Sequence, residues 1–116
     1  MVFSYETVVT RTSGTLYLLC GKMAAGKSTL ARSLRQNHGA VLLAEDELLE
    51  RLYPGEIAGL SDYVRCSKRL KEALSEHICS LLQSGLSIVL DFPANTKSQR
   101  VWMRELIDKS EAEHEL

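Results

Sequence analysis

The sequence lacks the features that mark secreted, membrane-spanning and strongly basic proteins. Residues 1–13 are polar and have no apolar centre of the kind that a signal peptide needs. The apolar runs are all far shorter than the roughly 20 residues of a membrane helix. Lys and Arg number 14 against 15 Asp and Glu, so no overall positive field attracts nucleic acid or an anionic membrane. We therefore expect no membrane partner, and nucleic acid is a possible partner that the charge does not favour.

Cysteine is also scarce, and its three positions indicate neither a disulfide framework nor a zinc site. Cys20, Cys66 and Cys79 are odd in number, and their spacings fit no zinc-binding pattern. Reduced thiols are typical of a cytoplasmic protein, so we expect a cytoplasmic location. The 116 residues suffice for one small domain, and we divide them into an N-terminal arm over 1–13 and a domain over 14–116.

Three short apolar runs alternate with segments of helical periodicity. The runs that predict strands buried on both faces are Thr15–Cys20, Ala40–Ala44 and Leu86–Leu90. The helical patterns run from Lys27 to about Asn37, over a few residues before Pro54, from Ser61 to Gly85, and from a capping box at Thr96 and Gln99 to about Lys109. Residues 111–116 are polar and could begin a further strand. The alternation predicts an α/β fold with a parallel sheet.

The segment from Gly21 to Ser28 fits the phosphate-binding pattern G-x-x-x-x-G-K-[ST] at every fixed position. Gly21 and Gly26 allow backbone angles at which successive N–H groups point toward phosphate oxygens. Lys27 can reach the β- and γ-phosphates, and the Ser28 hydroxyl can ligate Mg²⁺. A strand before the segment and a helix after it distinguish this loop from a chance match. The predicted nucleotide-binding residues are Gly21, Lys22, Met23, Ala24, Ala25, Gly26, Lys27, Ser28 and Thr29, of which Lys22 is expected to be mainly solvated.

Two acidic residues follow predicted strands, and both are expected at the same end of the sheet as the loop. In open parallel sheets, ligands bind beyond the carboxyl ends of the strands. Asp91 ends the third run in the manner of a Walker B aspartate, so it is the second predicted Mg²⁺ ligand beside Ser28. Asp46 follows the second run and is the candidate general base for an acceptor hydroxyl. Lys27 and Asp46 are therefore the predicted catalytic residues.

Each of these acids has a structural alternative. Asp46 could instead cap a helix that starts at Glu47, and the two roles are compatible. Glu45 and Glu47 are weaker candidates for the base, because neighbouring positions point in other directions. Asp91 could be a loop acid that only satisfies backbone donors.

Further polar and basic residues have two open interpretations. Three polar residues follow Asp91, namely Asn95, Thr96 and Arg100. They could contact phosphate or acceptor, or they could simply lie on the surface. A basic face at helical spacing is formed by Arg65, Lys68, Arg69 and Lys71. Such faces are usually solvated, although this one could favour an anionic acceptor.

Together these segments resemble the small P-loop kinases that phosphorylate a hydroxyl group, including polynucleotide 5′-kinases, chloramphenicol phosphotransferase-like enzymes and zeta-toxin-like kinases. The resemblance rests on the segments 19–32, 44–47 and 89–96, with Arg100 following. It implies a P-loop NTPase three-layer sandwich, ATP with Mg²⁺, and an unidentified hydroxyl-bearing acceptor. It also implies that Lys27 and Ser28 serve the phosphates and Mg²⁺, that Asp46 is the base, and that Asp91 assists the metal or acceptor site.

Kinases of this group continue with two further strands and a lid helix, whose arginines stabilise the transferred phosphoryl group. No arginine follows Arg104 in this chain, so we expect the domain to be incomplete at its C-terminus. The leading hypothesis is an ATP-dependent kinase acting on a hydroxyl of a small molecule or nucleotide. The alternatives are an ATPase or regulatory nucleotide-binding module without a dedicated acceptor, and a non-catalytic nucleotide sensor.

Overall fold

The structure, a computed structural model, describes residues 4–9, 14–20, 32–33, 35–36 and 39–115. The strands in this part of the chain are β1 (Ser4–Val9), β2 (Thr15–Cys20), β3 (Val41–Ala44) and β4 (Ile88–Asp91). The helices are α1 (Glu45–Leu52), α2 (Leu60–Gln83) and α3 (Lys97–Glu115), and residues 32–33 and 35–36 are also helical. No helix within these ranges combines the length and the apolar character that crossing a membrane requires.

The strands of the described part form one mixed sheet in the order β1-β2-β4-β3. β4 lies between β2 and β3 and pairs with both of them in parallel. β1 pairs with the other side of β2 in the antiparallel direction. The α/β fold with a parallel sheet that the sequence predicts is therefore confirmed.

Alternate residues of the central strands are buried on opposite faces of the sheet. The face that α1, α2 and α3 cover carries Leu16, Leu18, Ile88 and Leu90. The opposite face carries Tyr17, Leu19 and Val89, and these side chains are buried as well. Burial on both faces explains why the sequence of these strands is a continuous apolar run rather than an alternating one.

β1 lies within the predicted N-terminal arm and was not foreseen from the sequence, because residues 1–13 show no clear period. Its six residues pair with β2 from Ser4 opposite Cys20 to Val9 opposite Thr15. Tyr, Thr and Val make up four of these six residues, and all three types favour strands. The arm thus covers the side of β2 that β4 does not occupy, which removes an open edge there.

The start of α3 has the capping box that the sequence predicts. The Gln99 N–H donates to Thr96 Oγ1 at 3.2 Å, and the Thr96 N–H donates to Gln99 Oε1 at 3.0 Å. The helix then continues to Glu115, so the expectation that a further strand begins at residue 111 is wrong. Residues 111–115 are Glu-Ala-Glu-His-Glu, in which Ala and Glu favour a helix and no residue is β-branched.

Candidate active site

The carboxyl ends of β2, β4 and β3 lie side by side. Leu18 of β2 is opposite Leu90, and Ala44 of β3 is opposite Asp91. Neighbouring strands lie roughly 5 Å apart, so the segments that follow the three strands are brought together. These segments are the predicted phosphate loop, the loop behind Asp91, and the start of α1.

The predicted phosphate loop itself lies outside the described residues. This is true of every predicted nucleotide-binding residue from Gly21 to Thr29, Lys27 and Ser28 included. The covalent chain still fixes where the loop begins, because Gly21 is bonded to Cys20, the last residue of β2. The loop therefore starts at the carboxyl end of the sheet, on the strand next to the one that ends in Asp91.

Asp91 occupies the central position at this end of the sheet. It is half-buried, while the three residues before it in β4 are buried. A carboxylate supplies the oxygen ligands that Mg²⁺ prefers, and Mg²⁺ in nucleotide sites takes only one or two of them, with phosphate and water completing the shell. The side chain at Asp91 thus fits the chemistry of the predicted metal site.

Asp46 lies in the first turn of α1 and is exposed to solvent. It lines a cavity of about 490 Å³ that we call the Asp46 cavity, together with Leu49, Glu50, Tyr53, Gly55, Ile57 and Tyr63. α1 begins at Glu45 with Ala44 as its N-cap, and no side chain caps it. The alternative in which Asp46 caps a helix starting at Glu47 is therefore wrong, and its carboxylate is available to a ligand in the cavity.

Glu45 is the residue of this region whose position is not expected from the sequence. Its side chain is 1% exposed, and both carboxylate oxygens accept hydrogen bonds from α2. Tyr63 Oη donates to Oε1 at 2.6 Å, and Ser67 Oγ donates to Oε2 at 2.7 Å. Glu45 therefore ties the start of α1 to α2 and holds the backbone of its neighbour Asp46. The helical spacing to buried Leu49, four residues on, is the one signal in the sequence that puts Glu45 on the inner face.

We expect Glu45→Ala to lower the free energy of unfolding by about 2–4 kcal/mol. The substitution opens a cavity and leaves two hydroxyl groups without their acceptor. Tyr63→Phe removes one of the two bonds to the carboxylate and should cost about 1.5–3 kcal/mol. Urea denaturation measures both. The matched control is Glu47→Ala, because Glu47 is exposed on the same helix and should change stability by no more than about 0.5 kcal/mol. Equal stability of the Glu45 and Glu47 variants would contradict the stabilising role of the hydrogen bonds between Glu45 and α2.

The Tyr63 phenol is expected to stay protonated at about pH 10, where an ordinary tyrosine ionises. Burial raises the pKa of Tyr63, and the hydrogen bond to Glu45 raises it further. Because the pKa is higher in the folded than in the unfolded protein, this contribution to stability is complete below pH 10 and is lost as the pH rises above it. Ultraviolet titration of phenolate should give the same amplitude near pH 10 for the wild type and for Tyr63→Phe. A smaller phenolate signal near pH 10 for Tyr63→Phe than for the wild type, by the share of one tyrosine, would refute this prediction.

Tyr63 also lines a second cavity, of about 460 Å³, between α2 and the start of α3. We call it the Lys71 groove. The residues from α2 that line it are Leu60, Tyr63, Val64, Ser67, Lys68 and Lys71, and those from the start of α3 are Thr96, Ser98, Gln99 and Trp102. The two cavities thus meet at one tyrosine, beside the buried carboxylate of Glu45.

Part of the predicted basic face of α2 lies in solvent, and part of it lines this groove. Arg65 forms an ion pair with Asp62, with an N–O distance of 3.3 Å. Lys68 is exposed and lines the groove, and Lys71 is half-buried there. Burial lowers the pKa of the Lys71 ammonium, and the attraction of Glu45 opposes that change.

The polar residues after Asp91 mainly hold their own loop together. Arg100 Nη1 donates to the carbonyl oxygens of Ala94 at 3.3 Å and Asn95 at 3.2 Å. Thr96 belongs to the capping box of α3. Of the two open interpretations for Arg100, these bonds favour the structural one.

The fold and the loop sequence together define a protein that binds a nucleoside triphosphate through a P-loop. Residues 16–116 match the AAA domain family AAA_33, so the chain belongs to this family of P-loop NTPases, which includes small kinases. No curated protein and no solved structure matches the chain.

Proposed function

We propose that this protein is an ATP-dependent kinase that transfers the γ-phosphate of ATP to a hydroxyl group of a small molecule or nucleotide. One observation carries the proposal. Asp46 presents an exposed carboxylate to a cavity. It lies two residues after Ala44, which is paired with Asp91. This is the end of the sheet at which the phosphate loop begins. The cavity offers room for an acceptor alcohol directly beside the carboxylate that would take its proton.

The reaction balances with the groups that the chain supplies. The acceptor oxygen attacks the γ-phosphorus, and the bond between that phosphorus and the β,γ-bridging oxygen breaks. Asp46 accepts the proton that the hydroxyl loses, and ADP leaves with the bridging oxygen. Phosphoryl transfer of this kind depends mainly on positioning and on charge stabilisation, and the tie through Glu45 positions Asp46.

We assign the remaining roles from the loop motif and from the kinase resemblance. Lys27 is assigned to the β- and γ-phosphates, and Ser28 with Asp91 is assigned to Mg²⁺. Bound Mg²⁺ would neutralise charge on the phosphates. The other residues from Gly21 to Thr29 are assigned to nucleotide binding, with backbone N–H groups as the donors. ATP is the nucleotide we propose, on the basis of the kinase resemblance.

The experiment that tests this function measures ATP binding and turnover separately. Calorimetry with ATP and Mg²⁺ measures binding, and ADP release is then followed with and without a panel of antibiotics, sugar nucleotides, nucleosides and 5′-hydroxyl oligonucleotides. We expect one acceptor class to raise ADP release manyfold. ATP binding with a turnover that no acceptor class changes would instead support the ATPase or regulatory module.

A further inference from the structure

The Lys71 groove follows one stripe of α2. Its lining residues on that helix recur at spacings of three and four, from Leu60 to Lys71, as one face of a helix requires. Tyr63, which the groove shares with the Asp46 cavity, and Lys71 are eight residues apart. At 1.5 Å per residue, this separation is about 12 Å along the helix. The groove therefore leads from the wall of the Asp46 cavity to a lysine two turns further on.

The chemical character of the groove changes along this path. At the Tyr63 end, apolar side chains are unusually open to solvent, since Leu60 is 77% exposed and Val64 is 56% exposed. At the other end are two cations, Lys68 and Lys71, and the wall across from them carries the hydroxyls of Thr96 and Ser98. An apolar stretch followed by cations and hydroxyl groups suits a ligand with an apolar body and an anionic end.

Among the residues that the structure describes, no acidic side chain lines the groove, and Lys71 is fixed in place. Its Nζ lies 5.6 Å from the ring centroid of Trp102, and that ring is itself held by a hydrogen bond from Nε1 to Ser75 Oγ at 2.9 Å. Within the described residues, Lys71 has no ion pair with a carboxylate. Glu45 attracts Lys71 electrostatically, but both Glu45 oxygens already accept hydrogen bonds from Tyr63 and Ser67. The ammonium group of Lys71 can therefore form an ion pair with an anion that binds in the groove.

The first turn of α3 adds to this preference. It contains no acidic residue, and the N-terminus of a helix carries partial positive charge. The turn faces Lys68 and Lys71 across the groove. The N-terminus of α3 and the two lysines therefore both favour a negatively charged ligand, from opposite walls of the groove.

We propose that the Lys71 groove binds the anionic end of the acceptor, so that the substrate is a hydroxyl compound that carries a phosphate or carboxylate at the end away from the reacting hydroxyl. This inference rests on the kinase function proposed above. The acceptor hydroxyl lies at Asp46, the body of the molecule packs on Tyr63 and Val64, and the anion contacts Lys71. A hydroxyalkyl carboxylic acid and a nucleoside monophosphate both carry hydroxyl groups and an anionic end, and the nucleoside monophosphate is the shorter of the two.

Trp102 allows groove occupancy to be measured without any assay of transfer. It is the only tryptophan of the chain, and it lines the groove beside Lys71. The probes are two pairs that differ mainly in charge: UMP against uridine, and pantothenate against panthenol. The first pair tests a phosphate and the second a carboxylate. Titration of Trp102 fluorescence gives the dissociation constant of each probe, and transfer of phosphate from ATP to each probe is then measured separately.

We expect the anionic member of at least one pair to bind roughly tenfold or more tightly than its neutral partner, as the gain of a charge-assisted hydrogen bond implies. Lys71→Met keeps the aliphatic stem over Trp102 and should abolish that ratio. Lys109→Met, which removes an exposed lysine outside the groove, should preserve it. Thermal melts confirm that both variants are folded.

The outcomes separate this inference from the kinase function. Equal affinities within both pairs, including no measurable binding of any probe, overturn the inference. So does identical behaviour of the Lys71 and Lys109 variants. Phosphate transfer to uridine or panthenol as fast as to the charged partner overturns it as well, while supporting the kinase function. Charge-selective binding that depends on Lys71, with no transfer to any acceptor, supports an anion site and overturns the kinase function instead.

Discussion

An Asp46→Asn variant is expected to bind ATP normally and to transfer its γ-phosphate roughly 10²–10⁴ times more slowly than the wild type, the range typical of a lost general base. Asparagine has nearly the shape of aspartate but cannot take the proton that the acceptor hydroxyl must lose. Asp46 is exposed and caps no helix, so the substitution should leave stability within about 0.5 kcal/mol. Initial rates at saturating ATP and acceptor measure the effect on the chemical step.

The Asp46 cavity supplies a matched control for this experiment. Glu50 lines the same cavity and is also exposed, so Glu50→Gln removes an equal charge from the same surroundings. Its turnover number should stay within a few-fold of the wild type. If the Glu50 variant lost as much activity as the Asp46 variant, the effect would be one of cavity charge, and Asp46 would not be the base.

Lys27→Ala is expected to weaken ATP binding roughly 10²-fold. The reason is the loss of charge-assisted contacts to two phosphates, each worth about 1.5–3 kcal/mol before compensation. Calorimetry with ATP and Mg²⁺ measures the affinity directly. The control is Lys22→Ala, since Lys22 is a second cation in the same loop that we predict to be mainly solvated. An unchanged affinity of the Lys27 variant would contradict nucleotide binding through this loop, and equal losses in both variants would contradict the separate roles of the two lysines.

The parts of the fold that were predictable are those that depend on short-range sequence pattern. Each parallel strand is a brief apolar run, and β2 was predicted with its observed limits of Thr15 and Cys20. The capping box at Thr96 depends on two residues three positions apart. β1 was missed because its residues mix strand formers with Ser4 and Glu6, and because its pairing with β2 is a tertiary contact that no local period reveals.

The candidate site was predictable to the extent that it depends on motifs and strand ends. The loop pattern and Asp91 follow an apolar run directly, and Asp46 follows one after a single residue, so the chain order alone places them at one end of a parallel sheet. The spacing to Leu49 alone does not predict full burial of Glu45, because glutamate is almost never fully buried without a partner, and its partners are 18 and 22 residues away. The Lys71 groove likewise exists only because α2 packs against the start of α3, so a basic helix face that resembles a solvated surface contains a half-buried lysine over a tryptophan.

The measurement that tests the central claim most directly is the fate of the γ-phosphate. ATP labelled at that phosphate is incubated with the protein, Mg²⁺ and each acceptor, and the products are separated into inorganic phosphate and phosphorylated organic compound. We predict that the label appears on an acceptor hydroxyl, and that Asp46→Asn prevents this while ATP still binds. Label released only as inorganic phosphate, at a rate that no acceptor changes, would contradict the kinase function and leave an ATPase.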